Sequence, residues 1–301
     1  MRAPRPIPIA CLAIAATAAL VLTGCGSSKS ASTPKNTATV SSGSSGAAAL
    51  VPAAVKSKGT VVIAMDASYP PDEFFKPGTT TPIIGFDADL GTALGKSLGL
   101  NVQEQNVTFD AIIPGLQDGK YDIGLSSFTD TQAREKVVDF VTYFQAGESF
   151  YVKAGGKTFD GLDSLCGAKV AVENGTTEQT DAQTQSKTCT TAGKPAVTVL
   201  QFSDQSGANL AVSSGRADVG FADSPPVDYI VQQSNGQFVS SGKPFGLAPY
   251  GVALPKGNGM AKAVQAAMKE LISNGQYAAI LKQWNLSDGA ITDPMINGAT
   301  S

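Results

Sequence analysis

From Lys56 onward the apolar positions follow two alternating periods. Thr60–Met65 (TVVIAM) is a β-branched apolar run, the pattern of a buried strand. Phe86, Leu90, Leu94 and Leu98 then recur at four-residue spacing and form one apolar helix face, with Asp87 at its start and Gly99 at its end. A strand at NVQEQNV, a helix at FDAIIPGLQDGK closed by Gly119, and a strand at YDIGLSS follow. Strands alternating with helices predict βαβ units and a parallel sheet. The pattern then repeats: strand AKVAVE, a loop NGTTEQT entering a helix, strand AVTVLQF, helix SGANLAVSSGR, strand ADVGFAD, and a helix PPVDYIVQQ with prolines at its start. LQDGKYDIGLSS in the first half and VSSGRADVGFAD in the second share one order of helix, glycine, basic residue, aspartate and strand. Two final helices break at Asn274-Gly275. Val264, Met268, Leu271 and Ile272 form the apolar face of one, and Tyr277, Ile280, Leu281 and Trp284 that of the other.

The first 55 residues have neither period. Arg2 and Arg5 precede an apolar stretch, Ile9 to Leu22, of signal-peptide length and short for a spanning helix. It ends in Leu22-Thr23-Gly24-Cys25, which resembles the lipobox of bacterial lipoproteins. That resemblance implies removal of residues 1–24, diacylglycerol on the Cys25 sulfur, and anchoring at the outer face of the cytoplasmic membrane; the alternative is a plain secreted signal. Residues 25–55 are dominated by Ser, Thr, Gly and Ala and predict a flexible tether. Cys11 leaves with the signal. Cys166 and Cys189 then remain beside the lipidated cysteine, and an even pair in an exported domain predicts one disulfide. Two buried free thiols are the alternative, disfavoured in an oxidising compartment.

Composition narrows the function classes. The 301 residues are 42% hydrophobic and 16% charged, enough apolar content for a packed core. A net charge of −3 argues against nucleic acid, which needs a basic face. Histidine is absent, which excludes Ser-His-Asp and Cys-His catalysis and every His-ligated zinc or haem site. No cofactor or metal is indicated.

One stretch resists a purely structural reading. In YDIGLSSFTDTQAREK (121–136) an apolar strand runs into Ser126, Ser127 and Thr129, and Arg134 follows five residues later. Either this is a turn with an exposed charge, paired with Asp130 or Glu135, or it is an anion site at the carboxyl end of a strand.

Seven stretches occur in an order that resembles the family 3 extracellular solute-binding proteins, the amino-acid receptors of ABC importers: DASYPP, GFDADL, residues 109–140, KVAVENGTT, SGRADVGFADSP, PYGVALPKGN and NGQYAAILKQW. The resemblance covers roughly residues 56–286. It implies a periplasmic-binding-protein-like α/β fold, in which two Rossmann-like lobes are joined by a two-strand hinge and the ligand lies in the cleft between them. Lobe one would be residues 56–147 plus 247–290 and lobe two 148–246, with 291–301 a C-terminal tail. Two extended crossings, near AGESFYVKA and GKPFGLAPYG, would join the lobes.

The resemblance also implies an amino-acid backbone site. An α-carboxylate suits the planar fork of Arg134, with donors from Ser126, Ser127 and Thr129. Thr176 and Thr177 would add free N–H groups at a helix N-terminus, where the dipole favours negative charge. Asp223 matches the position that takes the α-ammonium, although it could also be a helix cap. Asp66, Tyr69 and Phe109 match positions that contact the ligand side chain; the two rings would sandwich it and Asp66 would supply an anionic end. Glu173 is a further acid that could face the cleft. The set leans toward a polar or cationic ligand. One departure stands out: where family members often read P-P-F-E, this chain has Pro70-Pro71-Asp72-Glu73-Phe74-Phe75.

The implied protein is a monomeric importer receptor with three kinds of partner: an amino acid, a permease, and the membrane through Cys25. A cyclohexadienyl dehydratase-like enzyme and a ligand-sensing receptor domain are the other functions hosted by this fold.

Overall fold

The computed structural model describes residues 46–300. The signal segment, Cys25 and most of the expected tether lie outside them. Among the described residues there are ten strands: β1 (Thr60–Met65), β2 (Ser68–Tyr69), β3 (Glu73–Phe74), β4 (Asn101–Asn106), β5 (Ile123–Gly124), β6 (Val138–Lys153), β7 (Lys169–Glu173), β8 (Thr198–Phe202), β9 (Val219–Asp223) and β10 (Phe238–Pro255). Ten helices accompany them: α1 (Gly46–Leu50), α2 (Ala53–Lys58), α3 (Phe86–Leu98), α4 (Phe109–Gln117), α5 (Gln132–Glu135), α6 (Thr177–Thr191), α7 (Gln205–Ser213), α8 (Ser224–Gln233), α9 (Met260–Ser273) and α10 (Gln276–Gln283).

Eight strands form one sheet in the order β4-β1-β5-β10-β6-β9-β7-β8. β4, β1 and β5 are parallel to one another, as are β8, β7 and β9. The predicted βαβ repeats thus become two parallel triplets at the two ends of the sheet. The long strands β6 and β10 run antiparallel between them, each continuing from one lobe into the other. Their pairing is regular at both ends and shifts register between Ser241 and Phe245, between Phe245 and Ala248, and between Tyr250 and Gly251. Strand length explains the crossing: 16 and 18 residues are far beyond the usual five or six, so one strand serves two cores.

Each triplet is covered on both faces. In the first lobe α3, α9 and α10 bury Phe86, Leu90, Leu94, Val264, Met268 and Leu271 on one side. Phe109, Ile112 and Leu116 of α4 cover the other with Tyr121, Phe128 and Phe140. In the second lobe Phe150, Val170, Val172, Val219 and Phe221 pack with Ala182 of α6. Cys166 and Cys189 are joined by a disulfide at the rear of this cluster.

Two expectations are corrected. The tether expected to run to residue 55 is already folded from Gly46: α1 and α2 are helical, Ala47 and Val51 are buried in the first-lobe core, and Ala47 N–H donates to Glu270 Oε1 at 2.9 Å. Short apolar residues in GAAALV pack against α9, which composition alone does not reveal. The stretch 291–301, read as a polar tail, is also docked over its described part. Met295 N–H donates to Thr142 Oγ1 and Gly298 N–H to Asp130 Oδ2, both at 2.8 Å, and Ala299 N–H donates to Glu135 Oε1 at 3.0 Å.

Candidate functional site

In both triplets the parallel strands end at one cleft, where open α/β sheets place their ligands. Asp66 follows β1, Ser126 and Ser127 follow β5, and Glu173 and Asp223 close β7 and β9. A cavity is lined by these residues together with Tyr69, Glu73, Phe109, Thr129, Arg134, Thr176, Thr177 and Glu178. All ten ligand-site residues expected from the sequence therefore line one cavity.

Arg134 sits on the one-turn helix α5, whose N-cap Thr131 accepts the Arg134 N–H. Its guanidinium spans the cleft: Nη1 donates to Thr129 O at 2.7 Å and Nη2 to Gly175 O of the other lobe at 2.9 Å. Its carbon lies 5.5 Å from the centroid of Phe109 and 5.3 Å from that of Phe128, and these rings stack on each other at 4.3 Å. Among the described residues neither Asp130 nor Glu135 forms an ion pair with it; each instead accepts a backbone N–H from the chain end. Burial lowers the arginine's proton affinity, and the charges of Glu178, Asp223 and Asp130 raise it again. Gly175 is held at φ +81°, and a Cβ there would lie 3.0 Å from the Cβ of Asp110, so the loop before α6 closely approaches the opposite lobe.

The hydroxyl row is turned differently from the sequence expectation. Ser127 adopts φ +50°, unusual for a residue with a Cβ. Its N–H donates to Asp87 Oδ2 (2.8 Å) and its hydroxyl to Asp72 Oδ2 (3.0 Å). Ser126 donates to Glu73 Oε1 (2.7 Å) and accepts the Asp66 N–H (2.9 Å). The two serines thus bind a buried cluster of Asp72, Glu73 and Asp87. Burial pushes all three carboxyls up, Asp87 to about 7.

Thr176 caps α6, its hydroxyl accepting the Gln179 N–H at 3.1 Å, and Thr177 donates to Glu178 Oε2 at 3.2 Å. Asp223 stands at the N-cap of α8 but makes no side-chain cap bond. It meets Tyr69 instead, so the tyrosine hydroxyl faces Asp223 while Phe109 takes Phe128 as its stacking partner. Asp66 Oδ2 accepts the Phe109 N–H at 2.9 Å. Burial raises the proton affinity of Asp66, and it raises that of Glu173 and Asp223 well above the usual carboxylate range.

Glu73 and Glu178 are wall residues that the sequence did not single out. Glu73 lies in the departure after Pro70-Pro71, and Glu178 reads as an ordinary first-turn acid of α6. With them, five carboxylates (Asp66, Glu73, Glu173, Glu178, Asp223) face one guanidinium. Among the described residues no group of acids or cysteines has metal-holding geometry.

The sequence pattern of the bacterial extracellular solute-binding proteins, family 3, matches residues 61–287. The chain is 32% identical over 250 residues to the arginine-binding protein ArgT of Corynebacterium glutamicum, covering 83% of this chain and 82% of that one. It is 33% identical over 213 residues to the ABC transporter glutamine-binding protein GlnH of Bacillus subtilis, covering 69% and 75%. Among solved structures, an ancestral arginine-binding protein bound to arginine superposes with a TM-score of 0.68 at 35% identity, over 75% of this chain and 98% of that one. Both relatives are named as amino-acid-binding proteins, the second as that of an ABC transporter.

Proposed function

The chain belongs to the bacterial extracellular solute-binding proteins of family 3, and on that premise we propose that it captures a free amino acid, polar or cationic, and delivers it to the permease of an ABC importer. It works from the outer face of the cytoplasmic membrane, held there by lipid on Cys25. Residues 56–147 with 247–290 and residues 148–246 act as the two lobes, and closure of the hinge at β6 and β10 traps the ligand.

The observation that carries this reading is one buried cavity with Arg134 and Asp223 contributed from different lobes. A fixed cation and a fixed anion suit a zwitterion. Arg134 takes the α-carboxylate, releasing the carbonyls of Thr129 and Gly175, with Thr129 and the α6 N-terminus at Thr176 and Thr177 as further donors. Asp223 takes the α-ammonium. Ser126 and Ser127 support this wall through the acids beneath them. Asp66, Tyr69 and Phe109 face the side chain. The excess of carboxylates over guanidinium favours a ligand that brings positive charge, and relatives named for arginine and glutamine bracket the class.

The test is calorimetry on the purified protein, stripped of ligand by unfolding and refolding, against a panel of amino acids. Tight binding that Arg134→Ala abolishes is expected. Absence of binding by every amino acid would remove the zwitterion site.

A further inference from the structure

We infer that residues 294–299 form a strap that positions Arg134 for the ligand: its backbone holds Asp130 and Glu135, the two acids nearest Arg134 in sequence, and so fixes the helix that carries the guanidinium. The inference rests on the assignment of Arg134 to the ligand carboxylate and goes beyond it by naming what holds that residue in place.

Helix α5 needs support from outside. It is one turn, Gln132–Glu135, and none of its residues is buried. A helix that short does not hold its shape in water by itself. Thr131 caps it, with Oγ1 accepting the Arg134 N–H at 3.2 Å and O accepting the Glu135 N–H at 2.9 Å. The remaining ties come from two directions. From β10 and the residue after it, Pro249 O accepts the Asp130 N–H at 2.8 Å, and the Lys256 ammonium donates to Glu135 O. From the strap, the Gly298 N–H donates to Asp130 Oδ2 at 2.8 Å and the Ala299 N–H to Glu135 Oε1 at 3.0 Å.

The strap is itself anchored on β6. In the first lobe β6 pairs with β10 along one edge, and β9 reaches the other edge only at residues 148–151. The strap takes the edge that β9 leaves: Ile296 bridges Val141, and the Thr142 N–H donates to Met295 O at 2.8 Å. Asn297 and Phe140 exchange two bonds, Asn297 N–H to Phe140 O at 3.0 Å and Phe140 N–H to Asn297 Oδ1 at 2.8 Å. A Cβ on the buried Gly298 would lie 2.9 Å from Thr142 Cγ2, so glycine there lets the backbone come close enough to reach Asp130. The sequence pattern of the family ends at residue 287, before the strap begins.

The strap also acts through charge. Asp130 acts on Arg134 electrostatically, and a carboxylate free to turn onto the guanidinium would compete with the ligand carboxylate for the same planar fork. Held by the strap, Asp130 bonds Gly298 and Glu135, and Glu135 bonds Ala299. The fork reaches Thr129 O and Gly175 O instead, and stays available.

The experiment is calorimetry against the same panel of amino acids, arginine and glutamine first, on wild type, Asn297→Gly, Asp130→Ala and Asp130→Asn, with hydrogen exchange followed over residues 129–137. Asn297→Gly loosens the anchor on β6 and lies outside the cavity wall. It should weaken every amino acid that binds by the same factor, roughly tenfold, and speed exchange across α5. Asp130→Asn keeps an acceptor for the Gly298 N–H and should recover most of the affinity that Asp130→Ala loses. Thr142→Val, which removes the acceptor of the Met295 N–H, replaces Asn297→Gly if that variant does not fold. A strap that only covers a strand edge would lower the melting temperature and leave affinity unchanged; that result overturns the inference. Losses confined to one amino acid, or Asp130→Asn as weak as Asp130→Ala, overturn it too, yet leave the amino-acid reading standing. A wild type that binds no amino acid overturns both.

Discussion

Tyr69 and Asp223 bond to each other twice across the cleft. The tyrosine hydroxyl donates to Asp223 Oδ2 at 3.2 Å and accepts the Asp223 N–H at 2.9 Å, joining residues 154 positions apart. One hydroxyl thereby satisfies both the backbone donor that opens α8 and the carboxylate beside it. Tyr69→Phe removes both bonds and leaves two buried polar groups unpaired, at a cost of about 1–3 kcal/mol. Calorimetry should show at least tenfold weaker ligand binding, and an unchanged affinity would mean the pair contributes nothing to closure.

Arg134→Lys keeps the charge and loses the planar fork that now reaches Thr129 O and Gly175 O. An ammonium cannot hold a carboxylate bidentately. The expected loss is about 1.5–3 kcal/mol of binding, similar for every amino acid tested because the clamp reads the shared backbone. A loss confined to one side-chain class would point to a different role.

The ligand-free protein should become more stable as pH falls from about 9 to about 5. Burial raises Asp87 and Asp130 to about 7 and Glu148 to about 9, and also raises Asp72 and Glu73. Their folded-state values lie above the unfolded ones, so the folded protein holds extra protons. The associated stability is complete below the unfolded carboxylate range and disappears as pH rises through about 7 and then about 9. Asp87→Asn can still accept from Ser127 N–H and Tyr143 OH and should flatten the neutral part of this profile. Thermal melts across pH check both; a melting temperature that climbs with pH contradicts the prediction.

Removing the Cys166–Cys189 disulfide by a double serine substitution should cost about 3 kcal/mol, as expected for a sequence separation of 23. The bond ties the end of α6 to the second-lobe core, at the opposite end of that helix from Thr176 and Thr177. Denaturant melts should shift accordingly, while ligand affinity stays within a few-fold.

Glu270→Ala should loosen the N-terminal helices. Its carboxylate accepts the Ala47 N–H at 2.9 Å and also the Ser97 hydroxyl, linking α1, α3 and α9. A loss of about 1–3 kcal/mol, with faster proteolysis before residue 59, is expected. A truly unstructured tether would show neither.

The sequence by itself determined the elements and their order. The four-residue spacing of Phe86, Leu90, Leu94 and Leu98, the β-branched runs and the glycine stops are local, and local periodicity dictates which face a helix or strand must bury. It also determined the strand ends that carry Asp66, Ser126, Glu173 and Asp223, because parallel strands leave their carboxyl ends at one edge.

Only the tertiary structure decided what those ends meet. Ser127 reads as a free hydroxyl, yet it is bound by Asp72 and Asp87, 55 and 40 residues away. Glu73 and Glu178 carry no sequence signal for the site, yet they are buried in the cavity wall. Gly46 to Val55 reads as tether, yet Ala47 and Val51 pack into the first-lobe core. In each case the deciding quantity is burial produced by residues distant in sequence. Desolvation and long-range pairing leave no periodic trace in the sequence, because they depend on which surfaces the folded elements bring together.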